Sequence, residues 1–506
     1  MTDPPDMHGK TAVRAAHSVI WNYSGYACQI LVNLGVMAYV ARFLSVPEYG
    51  MYLFVLSISA NLNLLDMGIG NVLILSYMPA LAQQDSDRLN DLLAATFVAL
   101  SLLGILGMSI LASFVTFLPG PFTIPASMLR EASALFLLAA IAIPFSMSGV
   151  ALDQLYQAAQ RFDRINQIRV LTAMLQLGLS IAVLREGFGI LGLAAIQLGM
   201  AILRVMILAA ALPSNVPGAR LQLTRFRMAA VKPLLQLSKW AFLTNLAVYL
   251  TDLMIWAVLG AFGSMSEVAM FAVAMKMPKQ LWNLMDRAAT AVNPEFSRLA
   301  ARVDDGSLRR IFLRTHQLLV TSMLPFIVMG IALAGPILHV WVGPKYANAG
   351  SVMRWLLIGS FSHAFSYAAD LLLYARAKIK LVAWITLCGG ASSVISGLLM
   401  VPHYGAAGLA AGVTLSQLLI TALGLSLFAC RIAGVAPLTL VTIPTKGHFW
   451  PLLILLADCA LLWAVRSHLS PVWLVVLGSI GGCTYLSIWG IRTVLPMYKN
   501  ELTSAT

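Results

Sequence analysis

Apolar runs long enough to cross a lipid bilayer constrain this chain more than any other feature of its sequence. About 20 consecutive apolar residues span the hydrocarbon core as a helix. Runs of that kind recur along the whole chain, separated by short segments rich in Gly, Pro and charge. Their spacing predicts fourteen helices, over 18–43, 50–78, 91–117, 132–158, 166–184, 189–212, 238–261, 266–294, 311–334, 350–375, 380–401, 405–430, 449–466 and 472–495. Composition agrees, since 59% of the 506 residues are hydrophobic and 10% charged, against roughly half and a quarter in soluble domains. The expectation is an all-α polytopic membrane protein without a large water-soluble domain.

A formal charge of +13 invites a nucleic-acid partner until the basic residues are located. With a cytoplasmic N-terminus, 23 of the 33 Lys and Arg fall on the inner side and six on the outer side. Arg204, Lys276, Lys279 and Arg287 are left within spans. The excess follows the positive-inside rule, so no nucleic acid is expected. Met1 to Lys10 is polar and no cleavage site follows, so the first span is expected to be its own targeting signal. Cys28, Cys388, Cys430, Cys459 and Cys483 lack paired or metal-ligand spacing and are expected as buried thiols. There is no phosphate-binding loop and no nucleophile motif, and His17, His316, His339, His363, His403 and His448 are scattered. The expectation is therefore a protein that is not an enzyme and has no cofactor or metal.

The two halves repeat. Phe43-Leu-Ser-Val-Pro-Glu-Tyr-Gly-Met-Tyr52 aligns with Phe262-Gly-Ser-Met-Ser-Glu-Val-Ala-Met-Phe271 at a shift of 219, which also sets Trp21 on Trp240 and Asn33 on Asp252. Phe188-Gly-Ile-Leu-Gly-Leu-Ala-Ala195 aligns with Tyr404-Gly-Ala-Ala-Gly-Leu-Ala-Ala411 at 216. Small residues recur in membrane helices because they let backbones approach, but two anchors at nearly one shift favour a true repeat. Six spans per repeat is an even number, so both halves enter from the same side, as in transporters whose two lobes handle substrate between them. The expected parts are an N-terminal lobe (1–212), an amphipathic linker on the inner face (213–237) with Arg220, Arg225, Arg227 and Lys232, a C-terminal lobe (238–430), and two added helices (431–506).

Polar residues inside hydrocarbon are expensive, so a row of them on one helix face implies a wet cavity or a partner helix. Ser18, Asn22, Tyr26, Gln29 and Asn33 form such a row in the first span, and Ser59, Asn63 and Asp66 another in the second. Further rows are Asp153, Gln157 and Gln160, then Asn245, Tyr249 and Asp252, then Ser362, Ser366 and Asp370. The eighth span is richest, with Lys276, Lys279, Asn283, Asp286, Arg287 and Thr290 in a narrow arc. These rows imply a common water-filled cavity between the lobes. The alternative for each charge is an ion pair that fixes helices together, for example Asp286 or Asp252 with Lys279 or Arg287.

The segments Trp21-Asn-Tyr-Ser-Gly25, Ala41-Arg-Phe-Leu-Ser-Val-Pro-Glu-Tyr-Gly-Met-Tyr52 and Leu64-Leu-Asp-Met-Gly-Ile-Gly70 resemble the N-terminal signature of the Wzx-type polysaccharide flippases. These share a superfamily with the lipid II flippases and the multidrug extruders. Tyr404 to Ala411 is similar to the same family's eleventh-to-twelfth helix junction, and the resemblance covers roughly 10 to 430. It implies two six-helix lobes in a V, alternating access, and a cargo of undecaprenyl-pyrophosphate-linked oligosaccharide carried from the inner to the outer leaflet of the bacterial cytoplasmic membrane. The cargo would serve exopolysaccharide, capsule or O-antigen assembly, with membrane lipids and a polysaccharide polymerase as partners. Set against that cargo, Lys276, Lys279, Arg287 and Arg204 would bind the pyrophosphate. Asn22, Tyr26, Gln29, Asn33, Asn245, Tyr249 and Asn283 would meet sugars, and Asp66, Asp153, Asp252 and Asp370 would couple to H+ or Na+. The rivals are a lipid II flippase, which carries arginines in its first span where this chain has none, and a multidrug extruder, whose cavity is mainly acidic. A membrane glycosyltransferase would need catalytic carboxylates in a sizeable outer loop.

Overall fold

The computed structural model describes residues 30–494 apart from 31, 63–68, 118–119, 121, 229–250, 302–303 and 446–447. Among the described residues the chain is helical throughout, with no strand, and it divides into two compact units, Met1–Tyr249 and Leu250–Thr506. The first unit holds α1 (Val32–Phe43), α2 (Val46–Leu62), α3 (Ile69–Ala82), α4 (Ser86–Phe117), α5 (Leu129–Ala158), α6 (Phe162–Arg185) and α7 (Gly189–Asn215). Helix α5 is its centre and packs against α2, α3, α4, α6 and α7. Phe136 of α5 meets Phe54 of α2 edge-on and stacks with Phe114 of α4, the ring geometry that aromatic quadrupoles favour.

The second unit holds α8 (Thr251–Phe262), α9 (Met265–Ala301), α10 (Asp305–Ala332), α11 (Ala334–Val342), α12 (Ala349–Ala375), α13 (Ile379–Ser416), α14 (Leu423–Ala433), α15 (Leu438–Thr445), α16 (Phe449–Val465) and α17 (Pro471–Trp489). Here α12 takes the central place, packed against α9, α10, α11, α13 and α14. The added helices α16 and α17 lie on α10 through Met329, Leu333, Leu455, Leu462 and Leu474. Tyr485 Oη donates to Thr321 O at 3.2 Å and Trp489 Nε1 to Thr321 Oγ1 at 2.8 Å. Short α15 was not foreseen; it is held where His316 Nε2 donates to Leu440 O at 2.9 Å.

Eight helices among the described residues are long and apolar enough to cross a membrane, or nine if α15 and α16 form one broken span. The runs 380–401 and 405–430 are two helices that meet at a kink, where Gly405 (φ 56°, ψ −141°) leaves the helical conformation, and within run 50–78 residues 63–68 lie outside the described residues. Large apolar side chains such as Trp384, Leu399 and Trp463 are exposed, as expected where lipid rather than protein covers a helix. The same reasoning corrects the cysteines: Cys430 is buried, but Cys388 and Cys483 are exposed on apolar helices. Many apolar positions of a membrane helix face outward.

The repeat proves to be backbone punctuation. Ser45 and Glu48 form a capping box, with Ser45 N donating to Glu48 Oε2 at 2.9 Å and Glu48 N to Ser45 Oγ at 3.4 Å. Their counterparts Ser264 and Glu267 do the same at 2.8 and 3.3 Å. Asp85 caps α4 by accepting from Arg88 N at 3.0 Å, and Asp304 caps α10 by accepting from Ser307 N at 2.9 Å. Central helices α5 and α12 both end in a left-handed residue, Gln160 (φ 56°) and Ala377 (φ 55°), closed by Arg161 N to Tyr156 O and Lys378 N to Leu373 O, each at 2.9 Å. Gly189 and Gly405 share φ near +57°, a backbone conformation that glycine adopts readily and residues with a Cβ do not.

The linker is described as far as Met228. Between α7 and Met228 it is extended with one 3₁₀ turn at Leu223–Arg225. Asn90 of α4 brackets the Pro217-Gly218 turn, donating to Gly218 O at 3.0 Å and accepting from Arg220 N at 2.7 Å. Arg225 pairs with Asp87 at 2.6 Å and Arg227 with Asp91 at 3.8 Å. Two of the linker arginines, Arg225 and Arg227, are thus engaged by acids of α4. Lys232 lies outside the described residues.

Candidate functional site

Helix α9 starts at the Ser264/Glu267 capping box and buries Val268, Ala269, Phe271, Ala272, Val273 and Ala274. The charges follow further along the helix, beyond this buried first stretch. At about 100° per residue, Lys276, Lys279, Asn283, Asp286 and Arg287 fall within an arc of about 100°. Lys276, Lys279 and Asp286 are exposed, while Asn283 and Arg287 are partly buried. In an apolar chain such a face is tenable only toward water, a polar ligand or a partner.

The neighbouring face of α12 presents Ser360, His363, Tyr367 and Asp370, spaced three and four apart. Tyr367 Oη donates to Asp286 Oδ1 at 2.9 Å, and His363 Nε2 lies 4.0 Å from the same oxygen. Trp282 Nε1 donates to Ser360 Oγ at 3.0 Å. The sequence row Ser362, Ser366 and Asp370 is only in part on this face. Ser362 and Ser366 are buried and return their hydroxyls to the carbonyls of Gly359 and Ser362 at 2.6 and 3.1 Å. Trp282 and Tyr367 went unread in the sequence because aromatic residues in apolar helices look like core, and His363 was read only as one of the scattered histidines. The three-and-four spacing of Ser360, His363, Tyr367 and Asp370 was the available signal.

In the first unit the charges are arranged differently. Arg204 of α7 and Asp153 of α5 are an ion pair at 2.5 Å, with Arg204 37% and Asp153 14% exposed. One turn further on, Tyr156 Oη donates to Leu208 O at 3.0 Å and ties the same two helices. Asp153 Oδ1 is buried without a hydrogen-bond partner. Two residues assigned different tasks from sequence, one to phosphate and one to ion coupling, therefore share a contact. Asn33 is exposed on α1, and Asp252 on α8 and Asp370 on α12 are half-buried. Asn22, Tyr26, Gln29, Asp66, Asn245 and Tyr249 lie outside the described residues. Among the described residues no three His, Cys, Asp or Glu gather closely enough to hold a metal ion.

The structure thus brings Lys276, Lys279, Asn283 and Arg287 onto one helix face in the second unit and pairs Arg204 with Asp153 in the first. Residues 39–351 match the polysaccharide biosynthesis protein family. The chain belongs to that family. A candidate O-antigen transporter of Shigella flexneri is 21% identical over 371 residues, which cover 72% of this chain and 86% of that protein. Among solved structures, the lipid II flippase MurJ in an inward closed conformation superposes with a TM-score of 0.71 at 13% identity, covering 96% of this chain and all of that one. An inward-facing multidrug resistance MATE family transporter of the MOP superfamily gives 0.67 at 17% identity, over 80% of this chain and 95% of that one. The resemblance to the Wzx-type flippases therefore holds, and with it an all-α multi-pass membrane fold. The identities to the solved structures show the fold and nothing finer.

Proposed function

We propose that this chain is a flippase of the bacterial cytoplasmic membrane, not an enzyme. It turns undecaprenyl-pyrophosphate-linked oligosaccharide from the inner to the outer leaflet for exopolysaccharide, capsule or O-antigen assembly. The observation that carries this reading is the cationic face of α9, where Lys276, Lys279 and Arg287 share one arc of a helix in an apolar chain. A pyrophosphate leaving the headgroup region loses its hydration and needs charge-assisted contacts in return. Lysines along one face supply them while the polyprenyl tail stays in lipid. Family membership and the O-antigen transporter relative support a lipid-linked glycan as the cargo.

In this reading Arg204 is a further phosphate contact that Asp153 holds in place until cargo arrives, and Asn33 and Asn283 meet sugar hydroxyls. Asp252 and Asp370 are the acids assigned to coupling with an H+ or Na+ gradient. The N-terminus is cytoplasmic, movement is by alternating access, and the cargo passes to a polymerase on the outer side. The test is flipping of fluorescent lipid-linked oligosaccharide in proteoliposomes by wild type, Lys276→Ala and Arg287→Ala, each checked for folding. Movement by wild type and loss in both folded variants is the expected result. Export of small organic cations in place of the lipid would overturn the reading.

A further inference from the structure

We propose that the edge of the α9 cationic face carries a saccharide subsite, built from Trp282 and Asp286 of α9 with Ser360, His363 and Tyr367 of α12. It seats a sugar ring beside the lysines. This inference rests on the lipid-pyrophosphate reading and adds where the glycan is recognised.

Sugar rings have an apolar C–H face and a rim of hydroxyls, so their sites combine an aromatic plate with a few fixed polar groups. Both parts are present. Trp282 supplies the plate: the His363 ring lies beside it, tilted by 42° with centroids 5.6 Å apart, and meets Tyr367 edge-on at 5.2 Å. The indole N–H is already taken by Ser360 Oγ at 3.0 Å, which fixes the plane of the ring and leaves its faces apolar. Trp282 and Tyr367 rest on a cluster of Met285, Met323, Ile327 and Ala364, so the plate is rigid.

The polar part is held as firmly. Tyr367 Oη anchors Asp286 Oδ1 at 2.9 Å, yet the Asp286 side chain stays 57% exposed and that of His363 39% exposed. A carboxylate in a membrane helix is costly unless it meets a polar ligand or partner. One oriented by a tyrosine and exposed is suited to accept from vicinal hydroxyls, with His363 as a second polar contact. Position along the helix completes the case. At about 1.5 Å per residue, Trp282 and Asp286 lie about 5 and 10 Å along α9 from Lys279, within reach of the first sugars of a chain whose diphosphate sits on the lysines.

The same cluster could instead serve only to pack α9 on α12, and the experiment separates the two. Purified full-length protein in nanodiscs is titrated with two probes: bare undecaprenyl pyrophosphate, and the lipid-linked oligosaccharide pool extracted from the cells that make the protein. Trp282→Leu, Tyr367→Phe and Asp286→Asn are expected to weaken the glycan-bearing lipid about tenfold or more, the size of a lost contact to a charged or aromatic group, and bare lipid by less than about twofold. Trp282→Phe, which keeps a plate, is expected to recover much of the loss, and Lys279→Gln to weaken both probes alike. Equal loss on both probes in the first three variants, or no loss on either, overturns the subsite. Wild type that binds neither probe overturns the transport reading itself, a result distinct from the other two.

Discussion

The two units share their punctuation and differ in their chemistry. Capping boxes at Ser45/Glu48 and Ser264/Glu267, caps at Asp85 and Asp304, left-handed ends at Gln160 and Ala377 and glycines at 189 and 405 recur in register. The residues between them have diverged. At a shift of 219, Lys276 and Lys279 correspond to Ser57 and Ala60 of α2. The first unit keeps its buried charge as a closed pair, Asp153 with Arg204, while the second leaves lysines open on α9. Helix boundaries must be kept for either unit to fold, whereas the faces between them are free to take up tasks. Cargo chemistry is thus expected to be lopsided, concentrated in the second unit.

The sharpest way to break that comparison is to exchange the faces. Lys279→Gln is expected to lower transport of the lipid-linked oligosaccharide by about tenfold or more, since a hydrogen bond to a charged group is worth about 1.5–3 kcal/mol. Ser57→Ala at the matching place in the first unit should stay within about twofold of wild type. Equal losses would remove the asymmetry.

Next in size are the glycines. A side-chain carbon at Gly405 would overlap the Glu267 carboxylate, while one at Gly189 meets nothing within 4 Å. Backbone strain at positive φ costs about 1–3 kcal/mol for a residue with a Cβ. Thermal unfolding should therefore place Gly405→Ala below Gly189→Ala, with the gap narrowed in the Gly405→Ala/Glu267→Ala double variant. A gap that persists without Glu267 would show that strain alone sets it.

The capping boxes sharpen the likeness rather than the difference. Ser45→Ala and Ser264→Ala should each cost about 1 kcal/mol and agree closely, because the two boxes have the same geometry. Divergent values would mean that the recurring Ser and Glu are kept for different reasons.

The smallest effect concerns acid. Bonds from the Ser307 side chain and backbone hold the Asp304 carboxyl below its ordinary range. A carboxyl depressed in the folded state contributes stability that is fully present above its unfolded value, about 3.9, and is lost as pH falls through the folded value. Asp304→Asn should lower stability slightly at neutral pH and converge on wild type as pH falls through the folded carboxyl value, as followed by unfolding midpoints across pH.

Much of the fold was legible because apolar runs and their breaks are local properties of the chain. Even the repeat was visible, although its Ser and Glu gained a reason only when the capping boxes were seen. What stayed hidden depended on partners distant in sequence. Nothing local in the linker shows that Arg225 and Arg227 pair with Asp87 and Asp91 of α4 or that Asn90 holds its Gly218 turn. Ser362 and Ser366 match a helical row as well as Ser360 and His363 do, and only packing shows that Ser360 meets Trp282 of α9 while the other two serines bond carbonyls of their own helix. Lys276 and Lys279 were legible because charge in an apolar run has few innocent explanations. Trp282 and Tyr367 were not, because aromatic residues there have many.

The most direct test of the central claim is side-by-side flipping of native lipid-linked oligosaccharide by wild type and Lys276→Gln/Lys279→Gln in proteoliposomes, with folding checked by thermal unfolding. Loss of transport in a folded double variant is the result this account predicts. A folded double variant that flips at the wild-type rate would contradict it and move the search for the phosphate site to the first unit, beginning with Arg204.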